Sequence, residues 1–253
     1  VQFAVKDNKV YVIEANPRAS RTVPFIAKAY DVPYINIAAK IMLGVNKLKD
    51  FTIERKLKGY AIKEPVFSFD KFPEVEKQLG PEMKSTGEVM GVGLTFAEAF
   101  VKSQMGAGVK LPVTGPNAGN VFLSVRNADK PKILEIAKTL QVLGFGLIAT
   151  KGTAAFLTKE GIAVKFVNKV LEGRPHIVDL VKNREISLII NTVEEDKRSI
   201  RDSWSIRNAA LTGRITYYTT ISGARAACIG MQHLAELKVY DLQSLHRSLA
   251  AQI

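Results

Sequence analysis

Apolar and smaller or polar residues alternate at the start of the chain, Val1, Phe3 and Val5 against Gln2 and Ala4. A second apolar run, Val10 to Ile13, follows the polar stretch Lys6-Asp7-Asn8-Lys9 and ends on Glu14 and Asn16. Period-two alternation around an Asp-Asn pair predicts a β-hairpin, because both turn residues tolerate positive φ. Pro17 closes the second strand by removing a donor. Apolar spacing then changes to three and four, predicting helices over Thr22 to Tyr30 and Ile35 to Leu43, the latter stopped by Gly44. A strand is expected over Gly59 to Phe67 and a helix over Thr95 to Gln104 with Thr95 as its cap. The stretch 106–119, GAGVKLPVTGPNAG, is rich in Gly and Pro and lacks periodicity. It reads as a linker between residues 1–105 and 120–253.

Beyond it, short apolar runs alternate regularly with helical patterns. Strands are predicted over Val121–Val125, Gly146–Ala149, Ala163–Val167, Leu188–Ile190 and Ile215–Tyr218. Helices are predicted over Lys130–Leu143, Gly152–Lys159, Ile177–Asn183, Ile200–Leu211 and Gly223–Leu234. This is the pattern of an α/β, Rossmann-type domain with a five-stranded parallel sheet covered on both faces. Ligands of such sheets bind beyond the carboxyl ends of the strands.

The chain has 253 residues, enough for two modest domains, and 47% of them are hydrophobic, which fits a packed core. Its start at Val1, inside a strand and without Met, is expected of a piece of a longer protein. No apolar run approaches the length of a membrane span, and no signal peptide is visible. The single cysteine, Cys228, excludes an internal disulfide and a cysteine-based metal site, in keeping with a cytoplasmic location. The formal net charge of +12 suits anionic ligands. No Lys/Arg block is interleaved with aromatics, which argues against nucleic acid and in favour of phosphorylated small molecules.

Two groups of residues carry candidate chemistry. In the hairpin, Glu14 and Asn16 share a strand face, and antiparallel pairing can bring Gln2 beside them. Carboxylate and amide oxygens are ligands that Mg²⁺ accepts, with waters and substrate phosphates as its other partners. Arg18 and Arg21 follow, and guanidinium suits phosphate oxygens. On spacing alone, a strand ending in a turn with solvated charges is the favoured reading of the same residues. In the second half, Ala149-Thr150-Lys151-Gly152-Thr153 lies at a strand-to-helix junction. Free amides and the helix dipole favour an anion there, while a helix start capped by Thr153 explains the motif as well. Ser124, Lys130, Lys169, Asn191 and Thr192 fall near the same predicted sheet edge.

The run from Val12 to Phe25, VIEANPRASRTVPF, resembles the closing segment of the second ATP-grasp domain of carbamoyl-phosphate synthase, and Gln2-Phe3-Ala4-Val5 resembles the strand before it. The resemblance continues through Lys63-Glu64 and 81–91, PEMKSTGEVMG, whose Ser85-Thr86-Gly87 reads as a turn on local grounds. From Asn120 to His246 the chain resembles the methylglyoxal-synthase-like fold, with 168–176, NKVLEGRPH, close to the synthase large subunit. The resemblance implies an α+β end of an ATP-grasp domain followed by an allosteric domain. It implies ATP and Mg²⁺ or Mn²⁺ as cofactors, with Gln2, Glu14 and Asn16 as metal ligands, Gln2 and Glu14 also touching ATP, and Arg21 near the phosphates as a catalytic residue. Ser124, Lys130, Thr150, Thr153, Lys169, Asn191 and Thr192 would surround a nucleotide effector, UMP or IMP, and Glu64, Tyr217 and Thr219 would contact ornithine.

The intact protein so implied is an ATP-dependent ligase of pyrimidine and arginine biosynthesis that phosphorylates bicarbonate and carbamate. It takes ammonia from a glutaminase small subunit and works as an oligomer. The piece alone, lacking the lysine and glycine-rich elements of its ATP-grasp half, is expected to be inactive. The sequence departs from the better-known bacterial pattern at 194–196, Glu-Glu-Asp, which would either repel a phosphate or cap the helix that follows. Two other classes compete. A methylglyoxal-synthase lyase would use aspartates in a Gly-Gly-Asp context, whereas Gly173-Arg174-Pro175-His176 offers none and Asp179 comes later, inside a predicted helix. A stand-alone nucleotide-sensing module would need only the second half.

Overall fold

The computed structural model describes residues 1–53, 59–67, 83–193 and 197–250, with the side chains of 197–199 and 249–250 excepted. Pro81, Glu82 and the acidic run 194–196 lie outside the described residues, as do the side chains of Lys197 and Arg198. The chain forms two compact units. One comprises residues 1–59 with the segment from Tyr240 onward, the other Tyr60–Val239.

In the first unit, β1 (Gln2–Lys6) and β2 (Lys9–Glu14) form the expected hairpin. Asp7 and Asn8 take φ of 50° and 59°, the two left-handed positions of a tight turn. Helices α1 (Thr22–Tyr30) and α2 (Tyr34–Met42) match the helical spacing within one residue. The last helix, α9 (Leu242–Ala250), is an element that the sequence reading did not include. It is tied to α1 by a hydrogen bond of 2.8 Å between the His246 ring and the Lys28 carbonyl. Burial in this unit is sparse. Every hairpin residue is exposed, and Ala29 and Leu245 are its only buried apolar side chains among the described residues.

The second unit opens with β3 (Tyr60–Phe67), paired antiparallel with β4 (Ser85–Gly93). Ser85-Thr86-Gly87, read locally as a turn, is the start of this strand. Its later glycines, Gly91 and Gly93, mark the close approach of a helix. Helix α3 (Phe96–Gly106), capped by the Thr95 hydroxyl accepting from Glu98 N at 3.2 Å, lies directly on β4. A Cβ at Gly91 would collide with the Ala99 carbonyl and the Ser103 amide.

The 106–119 segment does not separate two compact bodies. Helix α3 packs on a later helix, α8 (Ile221–Gln232), where a Cβ at Gly230 would lie 2.9 Å from Val101 Cγ2. The Lys110 carbonyl accepts from Thr216 Oγ1 at 2.7 Å, and Gly115 N donates to the Leu143 carbonyl at 2.8 Å. These ties hold β3, β4, α3 and the 106–119 segment against the domain that follows.

That domain is the expected five-stranded parallel sheet. Its strands are β5 (Asn120–Ser124), β6 (Gly146–Ala149), β7 (Lys165–Phe166), β8 (Ile186–Asn191) and β9 (Thr216–Tyr218), in the order β7-β6-β5-β8-β9. Alternation within β5 separates the two faces. Val121 and Leu123 join α4 (Lys130–Val142), α5 (Lys151–Lys159) and α8 through Ile133, Leu140, Leu157 and Met231. Phe122 turns the other way, to Ile177 and Val181 of α6 (Ile177–Lys182) and Ile206 and Ala210 of α7 (Lys197–Thr212). The chain runs outward from β5 through β6 to β7 and then restarts on the other side with β8. The switch point therefore lies between the carboxyl ends of β5 and β8, where such sheets bind ligands. Among the described residues, no helix is long and apolar enough to cross a membrane.

Candidate functional site

At that switch point Ser124 of β5 is paired with Asn191 of β8, and a cavity of about 550 Å³ opens above them. Ser124, Lys130, Thr150, Thr153, Lys169, Asn191 and Thr192 all line it. These seven residues come from four strand ends and two helix starts spread over 69 positions of sequence (124 to 192), so the parallel sheet is what assembles them.

The buried hydroxyls form a scaffold. Thr150 Oγ1 donates to Ser124 Oγ at 3.2 Å rather than capping its own helix, so α5 begins without a side-chain cap. Thr153 is not the cap either. It is 1% exposed, and its hydroxyl accepts from Val125 N at 3.1 Å, holding the β5 exit against α5. Thr192 accepts from Arg126 N at 3.1 Å, and Asn191 donates to Ser203 Oγ at 3.0 Å. The uncapped start of α5 therefore faces the cavity with its amides and the positive end of its dipole. The Lys130 ammonium stands over it, 3.5 Å from where a Cβ at Gly152 would lie. Four cationic side chains, Arg126, Lys130, Lys151 and Lys169, face two carboxylates among the described lining residues, Glu172 and Asp202. Glu172 is engaged by the Lys169 amide at 3.0 Å.

Asp202, Arg126 and Asp129 are contributions that the sequence reading missed. Asp202 on α7 is 5% exposed, and its Oδ1 has no hydrogen-bond partner among the described residues. Its signal was its phase: Asp202 stands four residues before Ile206 and eight before Ala210, on the helix's buried stripe. Asp179, the aspartate weighed from sequence for a lyase, accepts from the His176 amide at 3.0 Å and caps α6.

Asp129, 4% exposed, organises the rim. Burial penalises its charge. Hydrogen bonds from Arg126 and Thr192 and the charges of Arg126 and Lys132 together outweigh that, holding its carboxyl below the usual range. Its contact with Arg126 Nε is 2.7 Å. A depressed carboxyl contributes stability that is present above the unfolded-state pKa and lost as pH falls through the lower folded value. Asp129→Asn should therefore cost about 1–3 kcal/mol at pH 7, and the gap to the parent protein should close as pH falls below the ordinary carboxylate range. Urea unfolding at pH 7 and pH 2.5 checks both.

The hairpin residues also converge. Gln2 pairs with Glu14 across the strands, and Asn16 Nδ2 donates to Glu14 Oε1 at 2.9 Å. One carboxylate flanked by two amide side chains is a donor set that suits a hard cation completed by phosphate oxygens and water. Arg21 is exposed at the start of α1, and Arg18 Nη1 donates to the Ala19 carbonyl at 3.2 Å.

The three residues expected around ornithine sit in different surroundings. Glu64 is half-buried in β3, where burial raises its carboxyl and a hydrogen bond from Gln104 opposes the rise. The Gln104 side-chain oxygen in turn accepts from the Tyr218 hydroxyl at 3.0 Å. Tyr217 packs on the opposite sheet face with the Phe122 cluster, because neighbouring strand residues point to opposite sides, and Thr219 is exposed past the end of β9. Cys228 is buried, its thiol pushed up to about 12, and is chemically inert.

Comparison with known proteins gives a consistent result. The family model described as MGS-like domain matches residues 132–219. Carbamoyl phosphate synthase large chains of Ralstonia nicotianae and Pasteurella multocida are each 52% identical over 98% of this chain. The large chain of Neisseria meningitidis serogroup B is 51% identical over 98%. The chain spans 23% of the length of each of these relatives. A methylglyoxal synthase from Elizabethkingia anophelis superposes with a TM-score of 0.37 and 19% identity, covering 51% of this chain and 91% of its own.

Proposed function

Since the chain belongs to the carbamoyl phosphate synthase large-chain family and carries an MGS-like regulatory domain, we propose that it supplies two parts of an ATP-dependent ligase. The first is the closing edge of a carbamate-phosphorylating ATP-grasp site. The second is an effector-binding domain. The observation that carries this reading is the convergence of Ser124, Lys130, Thr150, Thr153, Lys169, Asn191 and Thr192 on one cavity at the sheet's switch point.

In the effector domain, the amides that open α5 and the Lys130 and Lys169 ammoniums bind a phosphate. Thr150 and Ser124 orient it from the strand ends. Asp202, buried across the same cavity with an oxygen unengaged among the described residues, accepts from a sugar hydroxyl of the ligand. A nucleoside monophosphate such as UMP or IMP satisfies both ends, a dianion and a hydroxyl donor. Glu64 remains the proposed carboxylate for an ornithine amine, with Tyr217 and Thr219 implied beside it by resemblance alone.

In the ATP-grasp part, Gln2, Glu14 and Asn16 would hold Mg²⁺ or Mn²⁺ against ATP, with Arg21 facing the phosphates. The cation would neutralise charge on the transferring phosphoryl group. The rest of the large chain supplies the remaining ATP contacts, so the 253-residue chain by itself is not expected to turn over. A glutaminase small subunit supplies ammonia, and the assembly works in the cytoplasm on bicarbonate and carbamate.

Calorimetry on the 253-residue chain tests the effector site. UMP or IMP should give saturable heat that weakens as salt is raised. Lys130→Ala/Lys169→Ala should lower the affinity by at least about tenfold, the loss expected of charge-assisted phosphate contacts. Absence of heat with either nucleotide at millimolar concentration, or undiminished binding by the double variant, would refute this assignment of the cavity.

A further inference from the structure

A second and larger concavity, of about 880 Å³, lies on the other face of the sheet, between α6 and α7. Its floor is apolar. Val181 and Ile186 are 3% and 4% exposed, and Ile215 packs on the same cluster. Trp204, the only tryptophan in the chain, borders the groove and is 52% exposed. An indole left half-open over an apolar floor is unfinished burial of a kind found where another surface docks.

Four cations surround this floor: Arg174, Lys182, Arg184 and Arg214. None of the described residues lining the groove is acidic. Arg174 comes within 3.8 Å of Asp179, but 77% of its side chain remains exposed. Arg184 and Arg214 follow the ends of α6 and α7 in left-handed conformation, with φ of 61° and 54°. Gly or Asn is the favoured occupant there, and arginine instead sets a guanidinium at the groove mouth.

The distribution of polar groups selects the kind of occupant. Small-metabolite pockets fix their ligands by a few convergent buried polar groups. Here a single buried polar side chain, His176, stands among the described lining residues, its Nδ1 3.1 Å from Asp179 Oδ2 without making a hydrogen bond among the described residues, and one such group is not a convergent set. The cations stand at the rim instead. An anionic bilayer would need apolar side chains projecting past the cations, whereas these are recessed beneath them. Tryptophan and arginine around an apolar centre are the residue types that dominate protein–protein hot spots.

We propose that this groove docks an acidic polypeptide segment, which seats an aliphatic side chain on the Val181–Ile186 floor and sets its carboxylates against the four rim cations. The site is separate from the nucleotide cavity and does not depend on its assignment.

Trp204 makes the test direct, since it is the single tryptophan of the chain and borders this groove. The 253-residue chain is titrated with a synthetic, tryptophan-free peptide of about fourteen residues, built of glutamate pairs with leucines at helical spacing. A saturable change in emission at low salt is expected, weakening at least tenfold by about 0.3 M salt as the charges are screened. Arg184→Glu/Arg214→Glu should weaken binding at least tenfold. Arg174→Glu/Lys182→Glu, at exposed positions where folding is not at stake, should do the same, and Lys138→Ala, at an exposed position of α4 that lines neither cavity, should leave peptide binding unchanged. The proposal is overturned if millimolar peptide leaves the emission unchanged, or if the same peptide with serine for leucine binds equally well. It is also overturned if both charge-reversal variants bind normally, or if vesicles of phosphatidylglycerol and phosphatidylcholine give the response and the peptide does not.

Discussion

Glu14→Gln in the full-length large chain should abolish carbamate phosphorylation while leaving the protein folded. The side chain is exposed and its replacement is isosteric, so stability should not change measurably. What is lost is the single carboxylate of the Gln2–Glu14–Asn16 group, and with it the charge that opposes a divalent cation at the phosphates. Loss of one electrostatic stabiliser of this kind costs about 10²–10³-fold in rate. Partial reactions separate this from general damage. ATP formation from ADP and carbamoyl phosphate, which reverses the proposed step, should fall with overall synthesis. Bicarbonate-dependent ATP hydrolysis at the other half should survive. Full synthesis by the variant at ordinary Mg²⁺ would remove Glu14 from the site, whereas equal loss of both partial reactions would point to a structural role.

The largest stability effect is expected at Gly91. Its Cα faces the backbone of α3 so closely that any Cβ meets the Ala99 carbonyl and the Ser103 amide, neither of which can swing aside like a flexible side chain. Gly91→Ala must push α3 off β4, and α3 carries Val101 and Phe100 into contact with Gly230 of α8. We expect destabilisation of about 3 kcal/mol or more, a fall in melting temperature of roughly 6–12 °C for a unit of this size. Gly87→Ala in the same strand is the control. Its new Cβ would meet Val66 Cβ at 3.9 Å, an ordinary contact, and should be nearly silent. Equal melting temperatures for the two variants would mean that α3 does not rest on β4 as described.

Gly91 also shows why β4 was not legible in the sequence. A segment with glycines at 87, 91 and 93 reads locally as turns, since glycine weakens a strand. Gly91 and Gly93 serve helix packing, and the helix they admit lies later in the chain. The 106–119 stretch was misleading for a related reason. Glycine and proline mark irregular backbone, and that expectation held, but irregular backbone is not a domain boundary when the elements on either side pack together. Helix α9 was overlooked although Leu242, Leu245 and Leu249 recur at helical spacing.

Among the site residues, the hairpin pairing was legible because alternation and the Asp7–Asn8 turn together set the register, and register decides that Gln2 lies opposite Glu14. The 149–153 motif was legible as a strand-to-helix junction. The role of Thr153 within it was not, because a threonine near a helix start looks the same whether it caps that helix or, as here, accepts from Val125 N of the neighbouring strand. Glu64 and Tyr217 resemble residues of one ligand site, yet the structure links Glu64 through Gln104 to Tyr218 instead.

The sequence by itself determined the local elements and the fold class. Periods of two and near four, turn residues and caps act within a few positions, and they specify a hairpin and five strands alternating with helices without reference to distant residues. Tertiary structure alone decided what the elements share. It brought Ser124 beside Asn191, turned the Thr150 hydroxyl from its helix to Ser124, buried Asp202 at the cavity wall, and ringed an apolar groove with arginines from separate turns. Those outcomes depend on the order of strands in the sheet and on which helix covers which face, and both follow from packing between residues far apart in the chain.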